Sequence, residues 1–223
     1  MLLRTGGGAL LVDCGTTTGS GLNDLGIDRS EIDAIVVTHF HADHFGGIPL
    51  LMLAALYEDE RRKPLRIAGP PGVEERVRGL AAAMGYDMRD RHWTFAFDFA
   101  ELPAGRELEI GPARVRAFET RHQPDSKPHG LVIRSGSERI AYSGDTGWFD
   151  ALPREVGAAD LFVCECTYHS HDFEYHLNHG ALVERREAFD CGRIVLTHLG
   201  AEMTDRRGRC AFDTADDGLS LKI

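Results

Sequence analysis

This 223-residue chain lacks any apolar run long enough to cross a membrane. The longest, Ile48 to Leu56, falls far short of the roughly 20 residues a bilayer demands and carries Pro49 near its start. Met1 to Gly8 lacks the apolar core of a secretory signal, so the expected location is the cytoplasm, with no membrane partner. Proline- or serine-rich linkers and internal repeats are missing too, which predicts a single domain over residues 1–223. The five cysteines, Cys14, Cys164, Cys166, Cys191 and Cys210, form neither a disulfide framework nor a CxxC zinc pair. They read as core thiols of a reducing compartment. A basic excess is lacking as well. Lys and Arg number 25 against 35 Asp and Glu, a formal charge of -10, which disfavours long nucleic acid as a partner. Bound divalent cations would offset part of that charge locally.

What the chain does have is a dense cluster of metal-grade donors. Thr38-His39-Phe40-His41-Ala42-Asp43-His44 packs three histidines and one aspartate into six positions. It follows the apolar run Ile35-Val36-Val37, so the cluster sits where a buried strand gives way to a loop. Imidazole nitrogens and a carboxylate at that density suit a divalent metal, whereas a solvated histidine loop needs no such context. Four ligands from one strand end exceed the needs of one open site and point to two metals. Further candidates follow other predicted strands: His122 after Ala117–Thr120, Asp145 in Ser143-Gly144-Asp145-Thr146-Gly147, and His198 after Val195-Leu196-Thr197. One histidine after a strand is ordinary; His or Asp at four strand ends is a site.

The remaining pattern alternates short strands with helices. Strands are predicted at Ala9–Asp13, Ala34–Thr38 and Leu65–Ala68, and helices at Gly46–Tyr57 and Val73–Met84. From Trp93 to Tyr142 the apolar period is mostly two, including a hairpin around Ser135-Gly136. Then come a strand at Leu161–Cys164, a helix at Leu182–Phe189, a strand at Arg193–Leu196 and a last strand after Asp217-Gly218. This order predicts two sheets covered by helices on their outer faces, an α/β (α+β) class.

With these residues assembled, the chain resembles the metallo-β-lactamase-fold hydrolases from Asp13 almost to its C-terminus. The resemblance implies an αββα four-layer sandwich with two divalent metals, zinc foremost, with manganese or iron also compatible with all-N/O ligands. His39, His41 and His122 would hold one metal, Asp43, His44 and His198 the other, with Asp145 bridging. Asp13 matches the family's strand-end aspartate, which orients ligands. Family members usually open with a glycine-rich strand and a second strand before that point, so the first strands are expected to be missing or the start to be late, with a homodimer open to it.

Departures within the family set the expected chemistry. Asp145 stands where lactam-cleaving zinc enzymes carry a ligand cysteine, and His41 stands where flavodiiron proteins carry glutamate. Thr120-Arg121-His122-Gln123 replaces the Pro-Gly-His usual in glyoxalase-II-type thioesterases. What remains resembles the phosphodiesterase branch, which includes ribonuclease Z and the cyclic ribosyl phosphate phosphodiesterases. Cys164-Glu165-Cys166-Thr167 is similar to the Glu-x-Thr element of ribonuclease Z, and His179-Gly180 to the histidine that follows it. The resemblance gives His179 contact with the phosphate or the leaving oxygen, Glu165 a role orienting His179 or in catalysis, and Asp43 a share in handling the nucleophile. Only 22 residues separate His122 from Asp145, where ribonuclease Z inserts its tRNA-gripping arm. A small phosphodiester substrate is expected, with a thioesterase, a tRNA 3'-end endonuclease and a non-catalytic metal-bound protein as rivals. Arg121, Lys127 and His129 are candidates to receive a phosphate.

Overall fold

Buried runs such as Leu10-Leu11-Val12 and Ala34-Ile35-Val36 set the frame, because strands covered on both faces read as continuous apolar sequence. The computed structural model describes residues 1–223 throughout. It divides into two compact units, Met1–Pro103 with Leu108–Arg114, and Ala104–Glu107 with Val115–Ile223.

The first unit starts with a hairpin of β1 (Leu2–Thr5) and β2 (Gly8–Val12). There follow α1 (Thr18–Asp24), β3 (Ile32–Val36), α2 (Ala42–Phe45), α3 (Ile48–Tyr57), β4 (Leu65–Gly69), α4 (Val73–Ala83) and β5 (Phe97–Glu101). The five-stranded sheet runs in chain order, and β2 through β5 are parallel. Helix α3 buries Ile48, Leu51, Met52, Ala55 and Leu56 in the same cluster as Ile35, Val37 and Ile67. Helix α4 reaches that cluster through Val73, Val77 and Ala81, spaced at i, i+4 and i+8.

Next come β6 (Glu107–Ile110) and β7 (Ala113–Glu119), within which the division between the units falls. The second unit continues with β8 (His129–Ser135), β9 (Glu138–Tyr142), α5 (Leu152–Val156), β10 (Leu161–Glu165), α6 (His179–Glu184), β11 (Arg193–Thr197), α7 (Ala201–Thr204) and β12 (Asp213–Thr214). Its sheet order is β12-β11-β10-β9-β8-β7-β6, with β9 to β12 parallel and β8 antiparallel to β9. Phe162, Cys164, Leu182 and Leu196 lie in its core.

Three differences from the sequence reading have local causes. Strand β1 precedes the first expected strand and pairs with it. The helix expected at Leu182–Phe189 starts earlier, because the Asn178 side chain accepts from the Ala181 amide at 2.8 Å and caps it. It stops at Glu184, and Arg186–Ala188 form a 3₁₀ turn. No strand follows Asp217-Gly218; Leu219 and Ile223 stay half exposed, so their alternation finds no buried face. All five cysteines are free thiols, and burial pushes Cys14 up to about 12, as suits core packing.

His129 is 8% exposed, and burial drives its imidazole from 6.5 down to about 4. It is neutral, so it does not serve as a cation for phosphate. The unfolded chain takes up a proton near pH 6.5 that the folded protein refuses. The stability from a neutral His129 is complete above that pH and is lost as pH falls through the folded value. Replacing His129→Phe is expected to shrink the loss of unfolding free energy between about pH 7 and 4.5 by about 2 kcal/mol, read by urea denaturation. An unchanged loss would refute a neutral buried imidazole.

Candidate metal centre

In the first unit the donors hang on the Asp13 carboxylate. Asp13, beyond β2, has a left-handed φ of 58°, a conformation few non-glycine residues adopt. Its Oδ1 accepts from the Thr38 amide at 2.8 Å, its Oδ2 from the Thr38 hydroxyl at 2.9 Å and from His44 Nδ1 at 2.8 Å. Burial works to raise this carboxyl, but His44, His39 and the Thr38 amide outweigh it and hold it below its ordinary value. Thr38 Oγ1 also lies 3.1 Å from His39 Nδ1. Its single proton goes to the carboxylate, so the hydroxyl accepts from the imidazole. The rings of His39 and His41 are 4.8 Å apart and those of His39 and His44 4.0 Å. Asp43 lies beside them, Oδ2 3.5 Å from His44 Nε2. Helix α2 is held close by the Cys14 amide donating to the His44 carbonyl at 2.7 Å. Gly15 permits this approach, since a Cβ there would collide with the Asp43 carbonyl.

In the second unit His122, Asp145 and His198 converge. Asp145 Oδ2 lies 3.4 Å from His198 Nε2 and 4.0 Å from His122 Nε2. His122 Nδ1 donates to the Tyr175 carbonyl at 2.9 Å. His198, at a left-handed φ of 52°, sets Nδ1 3.0 Å from Thr167 Oγ1. That hydroxyl donates to Glu165 Oε2 at 3.2 Å, so it too accepts from the imidazole.

One rule therefore governs His39, His44, His122 and His198. Each has Nδ1 engaged as a donor, which assigns the tautomer that presents the Nε2 lone pair. A ligating imidazole needs this arrangement, and with Asp43 and Asp145 the donor set fits a divalent metal of zinc type.

Glu165 pairs with a different histidine from the one the sequence reading set beside it. Its carboxylate, 1% exposed, accepts from the Thr146 and Thr167 amides and from His176 Nδ1 at 2.9 Å. Burial raises this carboxyl although the His176 hydrogen bond opposes it. His176, not His179, is therefore the histidine beside Glu165. Asn178 caps α6 and leaves His179 as its first residue, stacked on His169 and accepting from the Ala211 amide at 3.2 Å. His176 instead lies parallel to the His198 ring, 5.5 Å away at 8°. Glu165, His176 and His198 bring one ligand atom each within 4.8 Å of one another. The backbone gave the signal: His176 comes two residues before the capping asparagine, in the extended stretch beside Tyr168.

A family model described as Anti-Pycsar protein Apyc1 matches residues 1–214. Ribonuclease Z of Mycobacterium sp. (strain KMS) is 29% identical over 218 residues, covering 88% of this chain and 76% of its own. The metallo-β-lactamase fold protein YhfI from Bacillus subtilis superposes with a TM-score of 0.77 at 21% identity, over 99% of this chain and 90% of that one. Zinc-bound PqqB from Methylobacterium extorquens does so at 0.70 and 16%, over 100% and 86%. The likeness to YhfI shows the metallo-β-lactamase fold here.

Thr167 anchors both His198 and Glu165, so Thr167→Val is expected to weaken divalent-metal binding about 10- to 100-fold in chelator competition while circular dichroism stays unchanged. Undiminished affinity would refute the anchoring role.

Proposed function

The chain belongs to the anti-Pycsar protein Apyc1 family, and from that premise we propose that the two donor sets serve one binuclear centre that cleaves a small, nucleotide-like phosphodiester. A metal-dependent hydrolase of the metallo-β-lactamase fold is shown by these likenesses. On this reading residues 1–223 act as one functional domain. His39, His41 and His122 would hold the first metal and Asp43, His44 and His198 the second, with Asp145 open to either. Bound metals of this class, zinc foremost, supply Lewis-acid stabilisation of the phosphoryl oxygens and lower the pKa of a bound water.

The chain's own residues do the rest. Asp43, whose side chain is 63% exposed, orients the attacking water. His176 protonates the departing oxygen, and Glu165 accepts from its Nδ1 at 2.9 Å and fixes the aim of the ring. The observation that carries the reading is the Glu165–His176 pair set ring-to-ring against His198. The free, mostly buried thiols support a reducing, cytoplasmic setting.

A second reading, a ribonuclease Z-type endonuclease, is favoured by the mycobacterial relative. The segment between His122 and Asp145 argues for the smaller substrate, since it holds only a 3₁₀ turn and the β8–β9 hairpin.

Metal-loaded protein is expected to hold about two metals per chain and to hydrolyse bis-p-nitrophenyl phosphate, and Asp145→Ala to lose both. His176→Ala should lower kcat about 10²- to 10⁴-fold with metal content intact, and His179→Ala less than about threefold. A reversed order of the two histidines would overturn the assignment. Cleavage of S-lactoylglutathione with phosphodiesters left intact would hand the function to the thioesterase. Turnover of cyclic nucleotides, cyclic ribosyl phosphates and short RNAs separates the small-substrate reading from the endonuclease.

A further inference from the structure

The turn Phe173–His176 meets two of the proposed metal ligands in the second unit. The Tyr175 carbonyl accepts from His122 Nδ1 at 2.9 Å, and the His176 ring lies parallel to that of His198. The turn has little of its own to hold it there. Internally it is closed by an antiparallel bridge between Phe173 and His176, whose amide donates to the Phe173 carbonyl at 3.4 Å. Phe173 and Glu174 are exposed, and Tyr175 and His176 are only partly buried. A segment with so few buried apolar contacts opens at small cost unless its backbone is seated from outside.

The seat is Gly147. A Cβ on this residue would overlap the Glu174 carbonyl oxygen and stand 2.7 Å from its carbon, where ordinary contact starts at 3.4 Å. The colliding atoms are backbone, so no side-chain rotation relieves them. The φ of Gly147 lies outside the left-handed region, so the position demands space rather than conformational freedom. Gly147 is in turn tied to the ligand segments. Its amide donates to the Arg121 carbonyl at 2.7 Å, and the Arg121 amide donates to Thr146 Oγ1 at 3.0 Å. The Thr120 hydroxyl donates to the Asp145 carbonyl at 3.2 Å. These bonds lace the His122 segment to the Asp145 segment and present the notch at Gly147 to the turn. Arg121 also pairs with Glu174 at 3.2 Å, but both side chains are more than half exposed, so the ion pair adds little.

We propose that Gly147 is a positioning residue for His122, acting through the turn Phe173–His176, and that metal loading and seating of this turn stabilise each other. With the Glu174 carbonyl in the notch, the next carbonyl, that of Tyr175, stands where it holds His122 Nδ1 and leaves Nε2 for a metal. What the turn lends the ligand, a bound metal returns to the turn, because a coupling free energy acts equally in both directions. This rests on the reading of His122 as a metal ligand and adds the element that controls its aim.

The first test uses metal-free protein with 15N-labelled histidine at about pH 8, where an ordinary imidazole is neutral. Wild type is expected to show His122 as a single Nδ1–H tautomer, and Gly147→Ala a mixture of the two. Zinc affinity in chelator competition should fall about 10- to 100-fold in Gly147→Ala, with circular dichroism unchanged. A single tautomer or undiminished affinity in the folded variant would overturn the positioning role. The second test needs no substitution, so it decides even where Gly147→Ala fails to fold. Amide exchange across Phe173–His176 in wild type is expected to slow at least about tenfold on loading with zinc. Equal exchange with and without zinc would overturn the coupling. Wild type that binds no zinc refutes His122 as a ligand and this proposal with it, whereas a variant that binds as tightly as wild type refutes this proposal alone.

Discussion

The site depends on how the far nitrogen of each imidazole is held. An unanchored histidine rotates and shifts between tautomers, and a metal centre built on it would be loose in geometry and weak in affinity. Here the Asp13 carboxylate fixes His44 directly and His39 through the Thr38 hydroxyl. The same carboxylate holds the Thr38 amide, so one buried charge sets both the backbone course beyond β3 and the aim of two rings. The left-handed turn at Asp13 is the local cost of putting that charge there.

The second unit solves the same problem with a hydroxyl and a carbonyl. Thr167 anchors His198 and the Tyr175 carbonyl anchors His122. Glu165 is buried among groups that nearly all donate to it, two amides, a hydroxyl and an imidazole. A buried carboxylate with that many donors is tolerated, whereas removing one partner of such a pair typically costs about 3–5 kcal/mol. The Glu165 network is thus both support for the ligands and the anchor of His176.

The donors themselves were legible in the sequence because they are local. His39 to His44 is a contiguous motif after an apolar strand, and His122, Asp145 and His198 each follow a strand whose alternation is plain. The partner of Glu165 was not legible. His176 and His179 are three residues apart in a histidine-rich loop, and only the cap at Asn178 decides which one precedes the helix. The strand expected at the C-terminus failed for a related reason. Alternation at Leu219 and Ile223 describes a potential face, but a strand forms only where a neighbour offers a ladder, and β12 ends at Thr214. The anchoring roles of Thr38 and Thr167 carry no sequence signal beyond a threonine near a strand end.

Because Glu165 pairs with His176 rather than His179, His176 is the histidine whose ring stands parallel to His198. His179 is the first residue of α6 and packs against His169 and Phe212. His176 lies between Phe173 and His198 with its Nδ1 committed to Glu165. A substrate group seated against Phe173 would press on the same ring that Glu165 holds. Proximity of this kind converts binding energy at one end of a substrate into orientation at the other.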